Sequence, residues 1–340
     1  TSLTTPDIIT LHKNLEKLKK EKIDNVIIEA SSHGLDQNRL DNLNLKAGIF
    51  TNLSQDHLDY HKTMKNYLNA KLTLFSKLLS NKRYVISDES IKEYIYLKKI
   101  CKRRNLKILK INQQIKKIES ISTPLIGSFQ LKNLSMATLA AKLCNLKNSQ
   151  VDKSLRNIKN VDGRLNLIKK YPNNIRVFID YAHTPGALFE ALNSIKKFYG
   201  NNISLVFGCG GERDIKKRPI MAKIAKSFCK RIYVTDDNPR KENPKKIRSE
   251  IIKNLKGANH FNIGNRSKAI KEAILKAEPN ETILIAGKGH EEYQDFGKKI
   301  ISISDKKIVQ NFKIKMIKKN KKNKKNKDFL FNSKILNKAI

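Results

Sequence analysis

The chain lacks tryptophan, contains only four cysteines and has no apolar run long enough to cross a bilayer. The cysteines are scattered without C-x-x-C spacing, which argues against both a zinc site and a disulfide framework. Residues 1–7 have neither the basic region nor the apolar region of a signal peptide. These absences predict a cytoplasmic protein with reduced thiols and without a membrane partner.

Acidic residues are also scarce, because 31 Asp and Glu are outnumbered by 70 Lys and Arg and the formal net charge is +39. A charge of this size raises nucleic acid as a partner. Lysine is nevertheless spread through the whole chain, and only residues 313–327 form a basic cluster. We therefore attribute the charge to a compositional bias and expect no nucleic-acid partner. Steep salt-dependent binding of nucleic acid by the folded part of the chain would instead support such a partner. Residues 317–340 are predicted to be a disordered basic tail.

Apolar periodicity predicts two successive α/β units. In the first unit, a helix over 8–23 is followed by strands at 26–28 and 47–53 and by a helix at 64–79. The charged stretch 82–121 is placed at the periphery of this unit.

The second unit begins after residue 162 and alternates strands with helices. The predicted strands are 175–179, 203–207, 231–235 and 282–286, and the predicted helices are 185–198, 219–229 and 267–277. This alternation predicts a doubly wound parallel sheet. With a boundary near residue 160, the predicted domains are 1–160 and 161–316.

Charged residues and glycines follow two of the predicted strands in the second unit. The sequence DDNPR occupies 236–240, after one strand, and GKGHE occupies 287–291, after another. Because the carboxyl ends of parallel strands meet at one edge, where open α/β sheets bind ligands, we expect one site for a zwitterionic ligand. A turn with proline after asparagine would explain DDNPR taken alone.

A second constellation is predicted in the first unit. Glu29 follows the strand 26–28, and SQDHLDYH at 54–61 follows the strand 47–53. Lys71 falls on the apolar stripe of the helix 64–79. Such a lysine either extends to water or loses its proton, and a free amine can react with carbon dioxide to give a carbamate, an oxygen ligand for Mg²⁺. From these residues alone, extension to water remains the preferred interpretation.

Seven segments together resemble the Mur ligase family: LTTPD, GSFQLKN, GRLN, DYAHTP, GGERD, DNPR and GKGHE. The resemblance implies an α/β fold with a partial central P-loop-type ATPase domain and a doubly wound, Rossmann-like C-terminal domain. It further implies a monomeric, ATP-dependent and Mg²⁺-dependent ligase of peptidoglycan synthesis. That enzyme would add meso-2,6-diaminopimelate to UDP-N-acetylmuramoyl-L-alanyl-D-glutamate through an acyl phosphate.

The same resemblance implies a role for individual residues. Catalysis and Mg²⁺ binding would involve Glu29, His57 and Lys71, the lysine being carbamylated (N6-carboxylysine). The UDP-muramyl dipeptide would be bound by Thr4, Thr5, Ser31, Gln37 and Arg39. ATP would be bound by Asn133, Arg164, Asp180 and His183. The residues implied for meso-diaminopimelate are Arg213, Asp237, Asn238, Pro239, Arg240, Gly287 and Glu291.

The charges of the last group fit the implied amino acid. Diaminopimelate carries two carboxylates and two amines, so that two arginines and two acids can match it. L-Lysine lacks the second carboxylate and would leave Arg240 unpaired. A lysine-adding homologue is therefore the less favoured alternative.

The sequence contains no G-x-x-x-x-G-K-[ST] loop, whose amides and lysine hold nucleotide phosphates. In the family this loop precedes the LTTPD segment, and a uridine-nucleotide domain precedes the loop. We therefore expect the loop and the uridine-nucleotide domain to lie before Thr1. Without that loop, we do not expect these residues alone to turn over ATP. A non-catalytic remnant that keeps only the amino-acid site is a further alternative.

Overall fold

The computed structural model describes residues 3–121 and 123–314, so that the predicted tail at 317–340 lies outside the described residues. The first part of the chain alternates helices with three short strands. In chain order these are α1 (Ile8–Lys20), α2 (Ser32–Asp36), β1 (Ala47–Phe50), α3 (Leu58–His61), α4 (Met64–Thr73), β2 (Tyr84–Ser87), α5 (Tyr94–Arg103), β3 (Lys107–Lys110), α6 (Asn112–Glu119), α7 (Ser128–Leu143) and α8 (Asn148–Arg156). A π-helical turn, Leu74–Leu78, continues α4, which confirms the predicted helix over 64–79.

The three strands form a parallel sheet in the order β1-β2-β3. The predicted strand at 26–28 is wrong, because residues 23–31 form no ladder and Ile27 is 88% exposed. Apolar residues alone do not make a strand when no neighbouring strand accepts their backbone hydrogen bonds.

The stretch 82–121 is central to this sheet, so its predicted peripheral position is also wrong. It supplies β2, the middle strand, where Val85 and Ile86 are fully buried. Part of its charge lies on α5 and α6, which are amphipathic and bury Leu97 and Ile118, respectively.

The second part of the chain forms a six-stranded sheet with helices on both faces. Its elements are β4 (Asn166–Tyr171), β5 (Ile175–Asp180), α9 (Pro185–Tyr199), β6 (Ile203–Phe207), α10 (Lys217–Phe228), β7 (Arg231–Val234), α11 (Pro244–Ile252), β8 (His260–Asn262), α12 (Arg266–Leu275), β9 (Thr282–Ala286), the hairpin β10 (Tyr293–Asp295) and β11 (Ile300–Ser302), and α13 (Asp305–Asn311). The strand order is β4-β5-β9-β6-β7-β8, parallel except for the edge strand β4. The predicted doubly wound sheet is confirmed.

The core of this sheet has two apolar layers. On one face Leu205 and Leu284 belong to a cluster with Leu188 of α9 and Met221 of α10. On the other face Val206 and Ile283 belong to a cluster with residues of α12. Because β6 and β9 are buried along their whole length, the loops that follow them are held by a rigid base.

Within the described residues, no helix is both long and apolar enough to cross a membrane.

A buried ion pair attaches α13 to the end of β9. Arg266 donates to Asp305 Oδ1 and Oδ2 at 2.8 and 2.7 Å and to the carbonyl of Ala286 at 3.0 Å, and both charged side chains are 1% exposed. Replacing Asp305 by Ala leaves the guanidinium buried without its counter-charge. We expect this change to lower the free energy of unfolding by about 3–5 kcal/mol in urea denaturation.

The exposed pair Lys117–Asp152, at 3.0 Å, provides the control. We expect Asp152→Ala to cost less than about 1 kcal/mol. Equal losses for the two variants would contradict the importance of the buried pair.

Candidate functional site

Three loops meet at the carboxyl edge of the six-stranded sheet, where β6, β7 and β9 end. They are residues 208–214, 235–240 and 287–291. Their backbones are in direct contact: a Cβ on Gly208 would overlap the carbonyl oxygen of Thr235, and a Cβ on Gly211 would overlap that of Pro239. Glycine is therefore required at both positions for this approach.

Two arginines flank Gly210. A Cβ built there would lie 2.9 Å from Nη1 of Arg240 and 3.9 Å from Cγ of Arg213. Arg240 has a positive φ of 52°, and its Nη1 donates to the carbonyl of Gly211 at 2.7 Å. Arg213 is exposed. The backbone bond fixes one end of the Arg240 guanidinium, whose planar fork suits a carboxylate.

Asp237 places a carboxylate oxygen beside Gly287. The residue is 8% exposed, and its Oδ1 accepts from the amide of Asn238 at 2.7 Å. Its Oδ2 is buried and finds no hydrogen-bond partner among residues 3–121 and 123–314. A Cβ on Gly287, where φ is 112°, would lie 2.6 Å from this oxygen. The glycine thus leaves room beside an acceptor that calls for a donor.

Glu291 lies in a hydrogen-bond network with the neighbouring loop. Its Oε2 accepts from Asn238 Nδ2 at 3.1 Å and from Lys288 Nζ at 2.9 Å, and its Oε1 accepts from the hydroxyl of Tyr181 at 3.1 Å. The structure therefore brings together all residues predicted for the amino acid, namely Arg213, Asp237, Asn238, Pro239, Arg240, Gly287 and Glu291.

The residues predicted for the dipeptide form a second group. Thr5 is fully buried, and its hydroxyl donates to the carbonyl of Glu29 at 2.7 Å and accepts from the amide of Ser31 at 2.9 Å. Arg39 donates to the carbonyl of Thr5 at 2.8 Å and also to the side chain of Gln37. Thr4 is exposed. Thr5 thus holds the local backbone together, while Gln37 lies on the surface.

Lys71 is half-buried between two aromatic rings. Its Nζ lies 5.7 Å from the ring centre of Phe50 and 5.3 Å from that of Tyr67, and it donates to the carbonyl of Asn52 at 3.0 Å. Burial lowers the pKa of this ammonium, although nearby carboxylates, Glu29 among them, partly oppose the effect. A lowered pKa favours the free amine that a carbamate requires.

His57 lies close to the same tyrosine. Its ring centre is 5.8 Å from that of Tyr67, its φ is 56°, and its Nδ1 is buried without a partner in the described part of the chain. Glu29 is exposed. No group of three or more His, Cys, Asp and Glu in the described residues could hold a metal ion. The donor types of Glu29 and His57 suit Mg²⁺ only if a further oxygen ligand is supplied, as a carbamate on Lys71 would do.

Asp56 joins the two parts of the chain. Its carboxylate lies 3.4 Å from Nε2 of His183 and 3.7 Å from Nζ of Lys217, and it accepts from the amide of His57 at 3.0 Å. Burial alone would raise the pKa of this carboxyl, but the hydrogen bond from His183 and the charge of Lys217 hold the pKa well below its ordinary value. Beside it, Gln55 donates to Asp214 at 2.9 Å.

The residues predicted for ATP differ in their surroundings. Asp180 is buried and accepts from the amides of Leu165 at 2.6 Å and Ala182 at 2.7 Å. Burial raises the pKa of its carboxyl to about 6, although these two hydrogen bonds lower the pKa. The guanidinium of Arg164 lies 4.7 Å from the ring centre of Tyr181. His183 contacts Asp56, as described above. Asn133 is exposed on α7.

Two family models match the chain. The Mur ligase middle domain matches residues 1–141, and the Mur ligase, glutamate ligase domain, matches residues 163–289. The UDP-N-acetylmuramoyl-L-alanyl-D-glutamate--2,6-diaminopimelate ligase of Rickettsia bellii is 41% identical over 329 residues, which cover 90% of this chain and 69% of that protein. This chain belongs to the Mur ligase family.

A further relative and a solved structure are similar to this chain. The ligase of the same name from Brucella melitensis is 39% identical and covers 89% of this Mur ligase chain, which spans 66% of that protein. A solved folylpolyglutamate synthase of Mycobacterium tuberculosis, complexed with ADP and AMPPCP, has a TM-score of 0.58 and 16% identity. The alignment covers 72% of this chain and 62% of that one, and it shows a shared fold.

Sequence reasoning did not assign roles to several charged residues of this Mur ligase site. Lys217 gives no sequence signal, because it is one lysine among many, yet it is 4% exposed and faces Asp56. Lys288 is fully buried. Its position between two glycines of GKGHE was a signal that could have identified it.

The raised pKa of Asp180 makes the stability of this Mur ligase depend on pH. A carboxyl whose pKa is higher in the folded chain, about 6, than its ordinary 3.8 favours folding when it is protonated. Its contribution to the free energy of unfolding is complete below about pH 4 and is lost as the pH rises through about 6. Between these two values the contribution falls by about 1.4 kcal/mol per pH unit.

We expect Asp180→Asn to remove this dependence. The difference in free energy of unfolding between the natural chain and the variant should shift by about 2 kcal/mol between pH 4 and pH 6.5 in chemical denaturation. Asparagine also loses one of the two amide bonds, which lowers stability at every pH. A difference that stays constant across this range would contradict the raised pKa.

Proposed function

We propose that this Mur ligase adds meso-diaminopimelate to UDP-N-acetylmuramoyl-L-alanyl-D-glutamate with ATP as the energy source. The relatives from Rickettsia bellii and Brucella melitensis are both named as 2,6-diaminopimelate ligases. The observation that carries the proposal is the convergence of Arg213 and Arg240 with Asp237 and Glu291 at one sheet edge. Two cations and two anions on three loops match an amino acid with charges at both of its ends.

Each end of the ligand has a complementary group in this arrangement. The carboxylates would pair with Arg213 and with Arg240, whose guanidinium is already oriented by the carbonyl of Gly211. An ammonium would donate to Asp237 Oδ2, the buried oxygen that lacks a partner in the described residues, beside Gly287. This assignment supports diaminopimelate over lysine, because lysine would leave one arginine unpaired.

We propose that the two predicted domains, 1–160 and 161–316, bind different substrates. Ser31, Gln37 and Arg39, with Thr4 and Thr5, would bind the dipeptide. Asp56 and Gln55 of the first part contact His183, Lys217 and Asp214 of the second, so the two substrates would meet there.

ATP would lie at this junction, close to His183, Arg164 and Asn133. Asp180 would act through the backbone, because it holds the turn that carries Arg164 by accepting from the amide of Leu165. The guanidinium of Arg164 lies 4.7 Å from the ring centre of Tyr181, whose ring also contacts His183 at the junction. These side chains would orient the γ-phosphate for transfer to the D-glutamate γ-carboxylate, giving an acyl phosphate that the amine of diaminopimelate then displaces.

Mg²⁺ would be held by Glu29, His57 and carbamylated Lys71, and it would neutralise negative charge on the phosphates. The chain prepares this site by lowering the pKa of Lys71 through burial. In carbamylation the amine nitrogen bonds to the carbon of carbon dioxide and releases a proton. The rings of Phe50 and Tyr67, whose centres lie 5.7 and 5.3 Å from Nζ, would border the product.

We also propose that the protein acts as a monomer in the cytoplasm, without a nucleic-acid or membrane partner. The spread of lysine over the whole chain supports the absence of a nucleic-acid site, because a binding surface would concentrate the charge on one face.

Arg240 provides the test of amino-acid recognition. We expect Arg240→Met to weaken binding of meso-diaminopimelate at least about tenfold in calorimetric titration, while binding of L-lysine changes little. Arg156→Met, at an exposed position of α8, serves as the control. An unchanged preference for diaminopimelate would refute the role of Arg240, and tighter binding of lysine by the natural chain would favour the lysine-adding alternative.

Lys71 provides the test of the modification. In the presence of ¹³C-labelled bicarbonate, we expect a carbamate signal in the NMR spectrum of the natural chain, because burial favours the reactive amine. The signal should vanish in Lys71→Arg and remain in Lys65→Arg, which changes an exposed lysine on the same helix. Persistence of the signal in Lys71→Arg would show that another amine reacts.

A further inference from the structure

Lys288 is the lysine between the two glycines that follow β9, and its side chain is fully buried. An ammonium removed from water is costly unless it is paired and hydrogen-bonded. Lys288 lies in the loop 287–291, in contact with Asn238 and Glu291 of the candidate amino-acid site. Its neighbours therefore indicate its role.

The ammonium holds two side chains of the pocket at once. Nζ of Lys288 donates to Asn238 Oδ1 and to Glu291 Oε2, each at 2.9 Å, and lies 5.2 Å from the ring centre of Tyr293. Asn238 Oδ1 also accepts from the amide of Asp295 at 3.0 Å. Two donors on this oxygen fix the orientation of the Asn238 amide, so that its Nδ2 must point to Glu291.

The same contacts determine which oxygen of Glu291 remains available. Oε2 accepts from both Lys288 and Asn238, whereas Oε1 accepts from the hydroxyl of Tyr181. Each carboxylate oxygen has two acceptor positions, so a further donor would be accepted at Oε1. The carboxylate is thereby held in one rotamer, with one defined face toward the pocket.

Lys288 also supplies positive charge next to two acids. Asn238 donates to both carboxylates, to Asp237 through its backbone amide and to Glu291 through Nδ2. A cation in contact with Asn238 and Glu291 therefore lowers the repulsion between the two acids. Lys288 places a positive charge 2.9 Å from the carboxylate of Glu291 and 2.9 Å from the amide oxygen of Asn238. An apolar residue of similar length would fill the space and provide neither the charge nor the two bonds.

We propose that Lys288 is a positioning residue for amino-acid recognition, which acts through Glu291 and Asn238 and does not itself touch the ligand. The identity of the ligand, meso-diaminopimelate, rests on the proposed function. The arrangement of the three side chains rests on the structure alone.

A double-mutant cycle tests the proposal with calorimetric titration of meso-diaminopimelate into the full chain. Lys288→Met should weaken binding about tenfold or more, and Glu291→Gln should weaken it as well. The double variant should bind no more weakly than Glu291→Gln, because Lys288 acts on that carboxylate both directly and through Asn238, whose Nδ2 donates to it. Natural affinity in Lys288→Met, or losses that multiply in the double variant, would overturn the proposal.

Controls separate positioning from a general loss of structure. Lys298→Met changes an exposed lysine in the neighbouring hairpin and should leave both affinity and thermal unfolding unchanged. If Lys288→Met does not fold, Lys288→Gln replaces it in the cycle. Glutamine keeps a donor for Glu291 without the charge, so an intermediate affinity is expected, and natural affinity would again overturn the proposal.

A measurement without ligand distinguishes failure of this proposal from failure of the proposed function. The side-chain amide hydrogens of Asn238 should exchange slowly in the natural chain and at least about tenfold faster in Lys288→Met, as followed by NMR. Faster exchange combined with no binding of diaminopimelate by the natural chain would refute the proposed function alone. Unchanged exchange would refute the role of Lys288.

Discussion

Direct backbone contact between the loops after β6 and β7 is the constraint on which the candidate site depends. Gly208 lies against Thr235, and Gly211 lies against Pro239, at distances that any side chain would prevent. This approach brings Arg213 of one loop next to Arg240 of the other. Beside them, Gly287 after β9 leaves space at Asp237. These glycines thus determine where the charged side chains of the site lie, because they allow the loops to approach closely.

Buried charges beneath this surface hold the loops in place. Arg218 is 1% exposed and connects the carbonyl of Gly210 with Glu242 and Glu250. Lys288 connects the other two loops through Asn238 and Glu291. Breaking one such pair leaves an uncompensated charge in the interior, so the positions of these loops depend on the buried pairs.

The second sheet could be predicted from sequence because its strands are continuous apolar runs. Residues 203–207 and 282–286 are strands with the predicted bounds, and both are buried along their whole length. The edge strand β4 was not predicted, because its partly exposed residues Lys169 and Lys170 interrupt the apolar pattern. At 26–28 the local pattern was apolar, but pairing depends on a neighbouring strand that a local pattern does not reveal.

The site residues could likewise be predicted where they lie in a local sequence pattern. Arg240, Asp237 and Glu291 were identified because they lie in short motifs at strand ends, where parallel sheets collect ligand contacts. The structural role of Thr5 and the burial of Lys217 depend on contacts between distant segments, Thr5 with Ser31 and Lys217 with Asp56. Such contacts leave no periodic signal in a single sequence.

A crystal structure of the chain with meso-diaminopimelate would show directly which residues bind the two charged ends of the amino acid. We expect one ligand at the carboxyl edge of the six-stranded sheet, with its two carboxylates against Arg213 and Arg240 and an ammonium nitrogen within hydrogen-bonding distance of Asp237 Oδ2. A ligand bound elsewhere, or one that leaves Arg240 without a carboxylate, would contradict this expectation.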